Sequence, residues 1–467
     1  MMRRQATLLL LLFCLAAHPA RGEEPRDENE DLELIPQAVR NAPQEAPSTE
    51  ERAAPGGRAF LENALTGWVK RKGLAVPVPD RVGSWQNRTS ADMDYSWQIA
   101  PQLRLGLSDR LSLFEGNVID FPSAGTLRND FREGVISWEF APRSYLEAGR
   151  INLKSGTALG YNPTDYFKAR TTVNLASIDP SALRENRLGT VMVLAQKIWD
   201  NGSATVAFAP KLQNSSPLAR TPASLDPLLG QTNSENRLFA SASYSIAELS
   251  PQLLLFHDDI GTHIGVNVSR VLSSGIVGYL EWSGVREESL TERAIGFGQE
   301  TRALPPGIPV VPQGARGKGF KNDVAVGASW TGISKLTVNL EYHYHQAGLN
   351  GREFDRWITL GKRSSALSSE LWYLRQYAAD QQEPFMQHQI FLRFDYPDAI
   401  PSRLNTSGVL FISPYDGSSL TQLAAQYFIS REWTVGAYVG GTFGGRNTVM
   451  GSLPWRVSGV LQVVRYL

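Results

Sequence analysis

The chain has 467 residues, a formal net charge of zero and 20% charged residues. This balance excludes the strongly basic surface that a nucleic-acid-binding domain needs. The single cysteine, Cys14, lies near the N-terminus, so no disulfide framework is expected. No segment approaches the roughly 20 consecutive apolar residues of a membrane-spanning helix, so a membrane protein with this sequence must be a closed β-barrel.

The first 57 residues combine an export signal with an acidic spacer. Residues 1–22 have a basic start, an apolar core over 8–17 and small residues before a cleavage position near Glu23, as in a secretory signal peptide. Residues 23–52 contain ten acidic and three basic side chains, so we expect 23–57 to be a disordered periplasmic leader. An exported chain of this size without disulfides is typical of a bacterial envelope protein.

An amphipathic segment follows the leader. In residues 58–72 apolar side chains recur at spacings of four, as in Leu61, Leu65 and Val69, and the segment ends in basic residues. We therefore predict a short amphipathic helix over 58–72. It would lie at the inner rim of a barrel or plug it, although an ordinary packed helix fits equally well.

Residues 73–467 repeat one plan of strands and turns, which predicts a β-barrel. In the stretch 93–107 every odd position is apolar, a period of two that is typical of a strand with one apolar face. At about 3.3 Å per residue such a strand is long enough to cross a tilted path through a bilayer. Short polar turns are predicted at 108–110, 142–144, 200–202, 248–250, 273–275, 332–334, 397–402 and 430–432.

The connections between these hairpins are much longer than the turns. They lie near 153–185, 213–235, 286–319 and 347–384, with shorter ones near 122–130, 259–261, 414–419 and 444–453. Short turns at one end and long loops at the other are typical of outer-membrane barrels, whereas a soluble sandwich has similar loops at both ends. Eight hairpins, one strand within 72–88 and a closing strand over 455–467 give an all-β fold, a closed antiparallel barrel of about 18 strands, with 16–20 compatible.

The signal sequence, the alternating strands and the closing strand together resemble Gram-negative outer-membrane β-barrels of porin-like size. Such barrels usually end in an aromatic residue that the barrel-assembly machinery recognises; here Tyr466 is penultimate and Leu467 is last. The resemblance implies location in the bacterial outer membrane, assembly by that machinery, and contact with outer-membrane lipid and lipopolysaccharide. A homo-oligomer is compatible with it, because porins are often trimers.

A narrower resemblance covers residues 149–168. A Gly-Arg pair on a strand, Gly149-Arg150, is followed by a loop with an Asn-Pro-x-Asp run, Asn162-Pro163-Thr164-Asp165. This segment is similar to one in alginate-export-type porins and related large barrels. The resemblance implies a passive channel for a small solute or an exopolysaccharide.

The loop that contains this run is predicted to narrow the pore. It is long, carries charges of both signs and follows a strand directly, which is typical of functional loops. A surface loop packed over the rim is equally compatible. The candidate constriction residues are Arg150, Asn162, Asp165, Lys168, Arg170 and Arg184.

The alternation also assigns charged side chains to the inner face of the barrel. In the stretch 335–345, tyrosines alternate with Glu341, His343 and His345, so the tyrosines are assigned to lipid and the other three to the lumen. Because both signs occur inside, no strong ion selectivity is expected; charges that only pair across the wall are an alternative. The candidate pore-lining residues are Arg104, Glu139, Glu281, Glu341, His343 and Arg393.

No catalytic, cofactor or metal site is predicted. A nucleophile needs an adjacent base, and no serine lies near His345; Asp258-Asp259 before Gly261 is typical of a tight turn. We predict a passive channel for small hydrophilic solutes or an exported polysaccharide, with no nucleic-acid partner. The alternatives are a hydrophobic-substrate transporter with the 58–72 helix as hatch, and a surface scaffold that transports nothing.

Overall fold

Strands with one apolar and one polar face close into a single antiparallel barrel in the computed structural model of the chain. The structure describes residues 56–78, 83–117, 126–218, 225–306, 317–399 and 402–467. The strands are β1 (Gly56–Lys70), β2 (Trp85–Ala100), β3 (Leu103–Gly116), β4 (Thr126–Ala141), β5 (Ser144–Ile151), β6 (Thr190–Trp199), β7 (Gly202–Ala209), β8 (Arg237–Tyr244), β9 (Leu249–His257), β10 (Thr262–Ser273), β11 (Ile276–Glu287), β12 (Gly319–Thr331), β13 (Thr337–His345), β14 (His388–Ala399), β15 (Leu404–Ile412), β16 (Ser419–Phe428), β17 (Trp433–Phe443) and β18 (Trp455–Tyr466).

Each strand pairs with its two sequence neighbours, and β1 closes the ring. Asn63 of β1 lies opposite Val463 of β18 on one side and Thr89 of β2 on the other, antiparallel in both cases. Closure leaves no sheet edge with unpaired backbone groups. The prediction of a closed antiparallel barrel of 18 strands is confirmed.

The two faces of the wall differ as the alternation predicts. On β13, Leu340 and Tyr342 are exposed at 55% and 39%, whereas Asn339 and Glu341 are exposed at only 3% and 1%. An apolar outer surface and a polar inner surface are the arrangement of a transmembrane barrel. Polar and charged side chains of the strands therefore face the interior of the barrel.

The two ends of the barrel differ in the length of their connections, as predicted. The eight short turns span 101–102, 142–143, 200–201, 245–248, 274–275, 332–336, 400–403 and 429–432. The nine connections at the other end span 71–84, 117–125, 152–189, 210–236, 258–261, 288–318, 346–387, 413–418 and 444–454. We call these the turn end and the loop end.

The described helices all lie in loop-end connections. They are α1 (Pro180–Glu185), α2 (Leu229–Thr232), α3 (Leu290–Glu300), α4 (Gly351–Arg363) and α5 (Ser368–Asp380), with a short 3₁₀ turn at Ser365–Leu367. Among the described residues, no helix is long and apolar enough to span a membrane.

Three of these helices cap part of the loop end around a small apolar core. Trp357 of α4 and Leu371 of α5 are fully buried there with Val76 and Val449, which come from the connections 71–84 and 444–454. Capping boxes begin α3 and α4, where the Ser289 and Asn350 side chains each accept a hydrogen bond from the amide three residues later. The cap ties four loop-end connections together.

The predicted helix over 58–72 is wrong, because residues 56–70 form β1. A spacing of four is even, so it fits one face of a strand as well as one face of a helix. Leu65 and Val69 lie on the outer face, exposed at 48% and 59%, and Ala64 faces inward at 2%. The barrel therefore begins at residue 56 instead of 73, and the hatch alternative loses its helix.

Two further predictions, a turn at 108–110 and a strand within 72–88, are also wrong. Residues 108–110 lie inside β3, and the chain turns at Pro101 and Gln102 instead. Ser96 pairs with Gly106 and Trp97 with Leu105. Odd-numbered residues therefore lie on the same face of both strands, and even-numbered residues lie on the other face. The odd–even pattern of 93–107 therefore continues unbroken through a hairpin. Most of 72–88 is loop, and β2 begins at Trp85.

The signal peptide (1–22) and nearly all of the acidic leader (23–57) lie outside the described residues. Only Gly56 and Gly57 of the leader are described, and both belong to β1.

Candidate functional site

The connection between β5 and β6, residues 152–189, runs inside the barrel; we call it the inner loop. It includes α1 and is the second-longest of the loop-end connections. Its side chains and amides contact inward-facing residues of β2, β11, β13, β14 and β16. The inner loop therefore packs against the inner faces of at least five strands of the wall.

Glu281 of β11 binds the first part of the inner loop. Its carboxylate accepts hydrogen bonds from the amides of Thr157 and Ala158, the latter at 2.6 Å, and from the Thr164 hydroxyl at 3.1 Å. Glu281 has no exposed surface. A buried carboxylate is stabilised by such charge-assisted hydrogen bonds.

Glu341 of β13 binds the next two amides of the same loop. Its carboxylate accepts hydrogen bonds from the amides of Leu159 at 2.8 Å and Gly160 at 2.9 Å. Tyr279 donates its hydroxyl to the same group at 2.6 Å, and the His343 ring nitrogen Nε2 donates at 2.7 Å. Four consecutive amides, 157–160, thus bind two wall carboxylates.

The later part of the inner loop contacts the opposite wall. Arg88 of β2 donates to the carbonyl oxygen of Asn174 at 2.7 Å, and β2 lies nine strands from β11 in the ring of 18. Further along the loop, Asp179 lies at the first wall again, where Arg393 of β14, the neighbour of β13, donates to it from Nε at 2.8 Å. The inner loop therefore crosses the full width of the lumen.

Within the inner loop, hydrogen bonds and ion pairs hold the Asn-Pro-x-Asp run in place. Asp165 accepts two hydrogen bonds from Arg187, at 2.8 and 2.9 Å, and lies 3.3 Å from Arg184. Asn162 accepts a hydrogen bond from the amide of Thr164 at 3.1 Å. Burial alone would raise the pKa of Asp165, but the guanidinium groups of Arg187 and Arg184 outweigh it and lower that pKa.

Two basic residues of the inner loop point toward its loop-end side. Lys168 donates to the carbonyl oxygen of Asn162, and its ammonium lies 4.2 Å from the centre of the Tyr161 ring. Arg170 donates to Asp380 of α5 at 3.1 Å. Burial lowers the pKa of Lys168, although nearby carboxylates oppose this.

Arg150 holds the base of the inner loop. It donates from Nε to the carbonyl oxygen of Gly189 at 2.8 Å and also contacts the carbonyl oxygen of Pro227. It therefore joins the inner loop to the connection 210–236.

The six predicted pore-lining residues separate into three places. Arg104 and Glu139 border a cavity of about 70 Å³ at the turn end. Glu281, Glu341 and His343 face inward, but the inner loop covers them completely. Arg393 is held by Asp179 of the inner loop.

A larger cavity of about 400 Å³ lies on the loop-end side of the inner loop; we call it the outer chamber. Its walls are the inner loop between 161 and 170, the loop ends of β8–β12, and parts of α3 and α5. This volume is within the range of small-molecule sites. Charged lining residues of the chamber include Asp165, Lys168, Arg170, Arg237, Asp258, Asp259, Glu287, Glu288, Arg293, Glu300, Asp323 and Glu383.

A row of buried ion pairs on β1–β4 was missed by the sequence reasoning. Glu62 contacts Arg88 and lies 2.8 Å from Arg110, Arg110 lies 3.3 Å from Asp92, and Asp92 lies 2.7 Å from Arg132. Extending the odd–even rule of 93–107 backward assigns Arg88 and Asp92 to the inner face, so the pattern was present in the sequence. The predicted helix at 58–72 and the predicted turn at 108–110 leave Glu62 and Arg110 out of the inner face, whereas the structure places them in β1 and β3.

No known protein family and no curated protein matches the chain. Among solved structures, it is similar to OccK11 (OpdR) of Pseudomonas aeruginosa, with 11% identity, a TM-score of 0.50, and 88% of this chain and 95% of that chain covered. OccK5 (OpdH) of the same organism has 10% identity and a TM-score of 0.49 over 88% and 97%. A Rhodopseudomonas blastica porin variant has 10% identity and a TM-score of 0.39 over 89% and 100%. At 11% identity, the similarity to OccK11 shows a shared fold and nothing more.

Proposed function

We propose that this protein is a channel of the bacterial outer membrane for the passive passage of small hydrophilic solutes. One observation carries the proposal: a charged loop runs inside a closed barrel and is bound to opposite walls, at Glu281 and Arg88. A surface scaffold that transports nothing does not require a lumen of defined width. An internal loop with fixed anchors is what a size-selective pore requires.

The constriction would be set by the inner loop and not by the wall. Arg150, Asn162, Asp165 and Arg184 hold the loop in shape, and Lys168 and Arg170 face the outer chamber. A solute that enters at the loop end therefore meets the outer chamber first and the inner loop next.

Deleting residues 155–183 tests this function. The loss of the inner loop should raise single-channel conductance and let larger sugars swell liposomes, because it removes the segment that crosses the lumen. The strands β5 and β6 remain joined by a short connection, so the barrel should still close. Far-UV circular dichroism and heat-dependent gel mobility check that the barrel folds. Unchanged conductance would reject the constriction, and no swelling by either protein would favour the scaffold.

A polysaccharide substrate is the finer alternative, supported by the resemblance of residues 149–168 to alginate-export-type porins. It predicts that an acidic polymer such as alginate blocks the current of the intact channel. Contact with lipopolysaccharide, assembly by the barrel-assembly machinery and homo-oligomer formation stay predictions.

A further inference from the structure

We propose that the loop-end rim of β17, β18 and β1 binds the phosphate groups of lipopolysaccharide. This inference rests on the proposed function only for the location in the outer membrane, and it gives the predicted contact with lipopolysaccharide a place and a chemistry. The residues concerned, which we call the basic rim, are Lys70, Arg71, Lys72, Arg446 and Arg456.

The segments that carry the basic rim contain no opposing carboxylate side chain. Neither residues 63–79 nor residues 433–467 include an Asp or a Glu. Within the described residues, no member of the basic rim forms an ion pair. Asp416 contacts the adjoining connection 444–454, but its oxygens accept hydrogen bonds from the amides of Ser418 at 3.0 Å and Val449 at 2.6 Å. The positive charge of the rim is therefore not neutralised by the described part of the chain.

Backbone contacts bring the members of the basic rim on β1 and β18 together. Lys70 lies opposite Trp455 in the pairing of the two strands, and the amide of Arg71 donates to the carbonyl oxygen of Pro454 at 2.9 Å. Burial and, to a lesser extent, the nearby charge of Arg456 lower the pKa of Arg71. Two guanidinium groups of like charge are thus held near each other, an arrangement that a bound phosphate would stabilise.

The side chain of Arg71 connects the same rim to β17. It donates to the carbonyl oxygens of Thr442 at 2.7 Å and Gly444 at 3.4 Å. Arg446, two residues after Gly444, lies against the backbone of Gly73, where a Cβ atom would be only 2.7 Å from its Nη1. Gly73 also has a φ of +63°, a conformation that favours glycine. The three strands therefore bring their loop-end cations to one place.

The basic rim lies at the edge of the apolar band of the outer face. The last strongly exposed apolar side chains toward the loop end of β1, β17 and β18 are Val69, Phe443 and Val457, exposed at 59%, 58% and 40%. A residue of the basic rim lies within three positions of each of them on the loop-end side. Because the short turns of bacterial outer-membrane barrels face the periplasm, the loop end faces outward. The head groups at that level are the phosphates of lipopolysaccharide, and clusters of Lys and Arg beside a membrane surface recognise anionic head groups.

Another sector of the loop end has mixed charges and provides the control. Arg286 at the end of β11 is followed directly by two glutamates. Lys211 and Lys318 line the outer chamber together with carboxylates such as Asp259. This sector should therefore attract anionic head groups less than the basic rim does.

The test measures the binding of purified lipopolysaccharide to the mature chain in detergent. EDTA is present, so that no divalent cation bridges carboxylates to phosphates. The rim variant is Lys72→Gln/Arg446→Gln/Arg456→Gln. Arg71 stays unchanged, because its hydrogen bonds hold the backbone of the rim together. The control variant, which removes the same charge elsewhere at the loop end, is Lys211→Gln/Arg286→Gln/Lys318→Gln. Heat-dependent gel mobility checks that both barrels close.

The rim variant should bind lipopolysaccharide roughly tenfold more weakly than the wild type and the control variant do. Lipopolysaccharide stripped of its phosphates should bind all three proteins equally weakly. Equal binding of the phosphorylated lipid to the rim variant and the wild type, or a difference that persists without the phosphates, would overturn the proposal. Inorganic phosphate that binds the wild type as tightly as the lipid does would also overturn it, because the rim would then be a site for a soluble anion. A wild type that binds the lipid at the rim but lets no sugar swell liposomes would reject the channel and keep the rim.

Discussion

At the residue scale, the position of the inner loop depends on two carboxylates. Glu281 and Glu341 are fully buried and together accept four consecutive loop amides. Because a carboxylate accepts stronger hydrogen bonds than a neutral amide does, the charge of these residues is what their role requires.

The double variant Glu281→Gln/Glu341→Gln tests this role. Each substitution keeps the size of the side chain but removes its charge, so the free energy of unfolding should fall by about 2 kcal/mol per site. The current through single channels should become noisier as the loop moves. Urea unfolding in lipid vesicles and bilayer recordings measure the two effects, with Glu432→Gln at the turn end as control. Unaltered unfolding and quiet currents would mean that other contacts position the loop.

Asp165 gives a pH-dependent prediction. Asp165→Asn leaves Arg187 buried without its charged partner, so the free energy of unfolding should fall by about 3–5 kcal/mol at neutral pH. Burial opposes ionisation, but Arg187 and Arg184 lower the pKa of Asp165 in the folded protein. Since this pKa is lower than the unfolded value of about 3.9, ionised Asp165 contributes its full stability above that value and loses it as the pH falls through the folded pKa.

The difference in stability between wild type and Asp165→Asn should therefore be constant above about pH 5 and shrink below about pH 4. Unfolding curves at a series of pH values measure it. A difference that grows in acid would contradict the lowered pKa.

At the element scale, the outer face of β3 allows a test of which face of the barrel wall contacts lipid. Its outward row is Leu103, Leu105, Leu107, Asp109, Leu111 and Leu113, so one carboxyl interrupts five leucines. Asp109 has a hydrogen bond with Asn129 of β4. A charge on the lipid face of a barrel is destabilising, though less for Asp than for Lys or Arg.

We expect Asp109→Leu/Asn129→Val to raise the free energy of unfolding in lipid vesicles by about 1 kcal/mol, because taking both polar side chains off the lipid face outweighs the hydrogen bond that Asp109 accepts from the amide of Arg110. Asp109→Leu alone should gain less, since Asn129 then loses its partner. The control Leu111→Asp should be destabilising. If the double variant is instead less stable, the hydrogen bonds of Asp109 outweigh the cost of a carboxyl on the lipid face.

The strands and their faces could largely be predicted from sequence, whereas the contacts of the inner loop could not. The period of two assigns Glu341 and His343 inward because it follows from local backbone geometry alone. That Leu159 and Gly160 cover them depends on contacts 182 and 181 residues apart, which no local pattern encodes. The helix prediction for 58–72 fails for the same reason: a spacing of four fits a helix and a strand alike, and the pairing of β1 with β2 and with β18 distinguishes the two.

At the scale of the whole molecule, closure makes β1 indispensable. β1 runs antiparallel to both β2 and β18, so β2 and β18 run in the same direction. Without β1, 17 strands would remain in the ring, and closure would need β2 and β18 to pair in parallel. Two open edges would otherwise face lipid with unsatisfied backbone groups, at a cost of several kcal/mol for each group.

Two truncations separate the strand from the predicted helix. A chain lacking residues 23–55 keeps all 18 strands and should refold into vesicles with the heat-dependent gel mobility of a closed barrel. A chain lacking residues 23–72 loses β1 and should fail to close, whereas it would fold normally if 58–72 were a dispensable helix. The comparison needs only refolding yield and gel mobility, and equal folding of the two chains would contradict the register of β1 between β18 and β2. Because every transport property proposed here requires a sealed wall, the longer truncation should abolish liposome swelling, and the shorter one should preserve it.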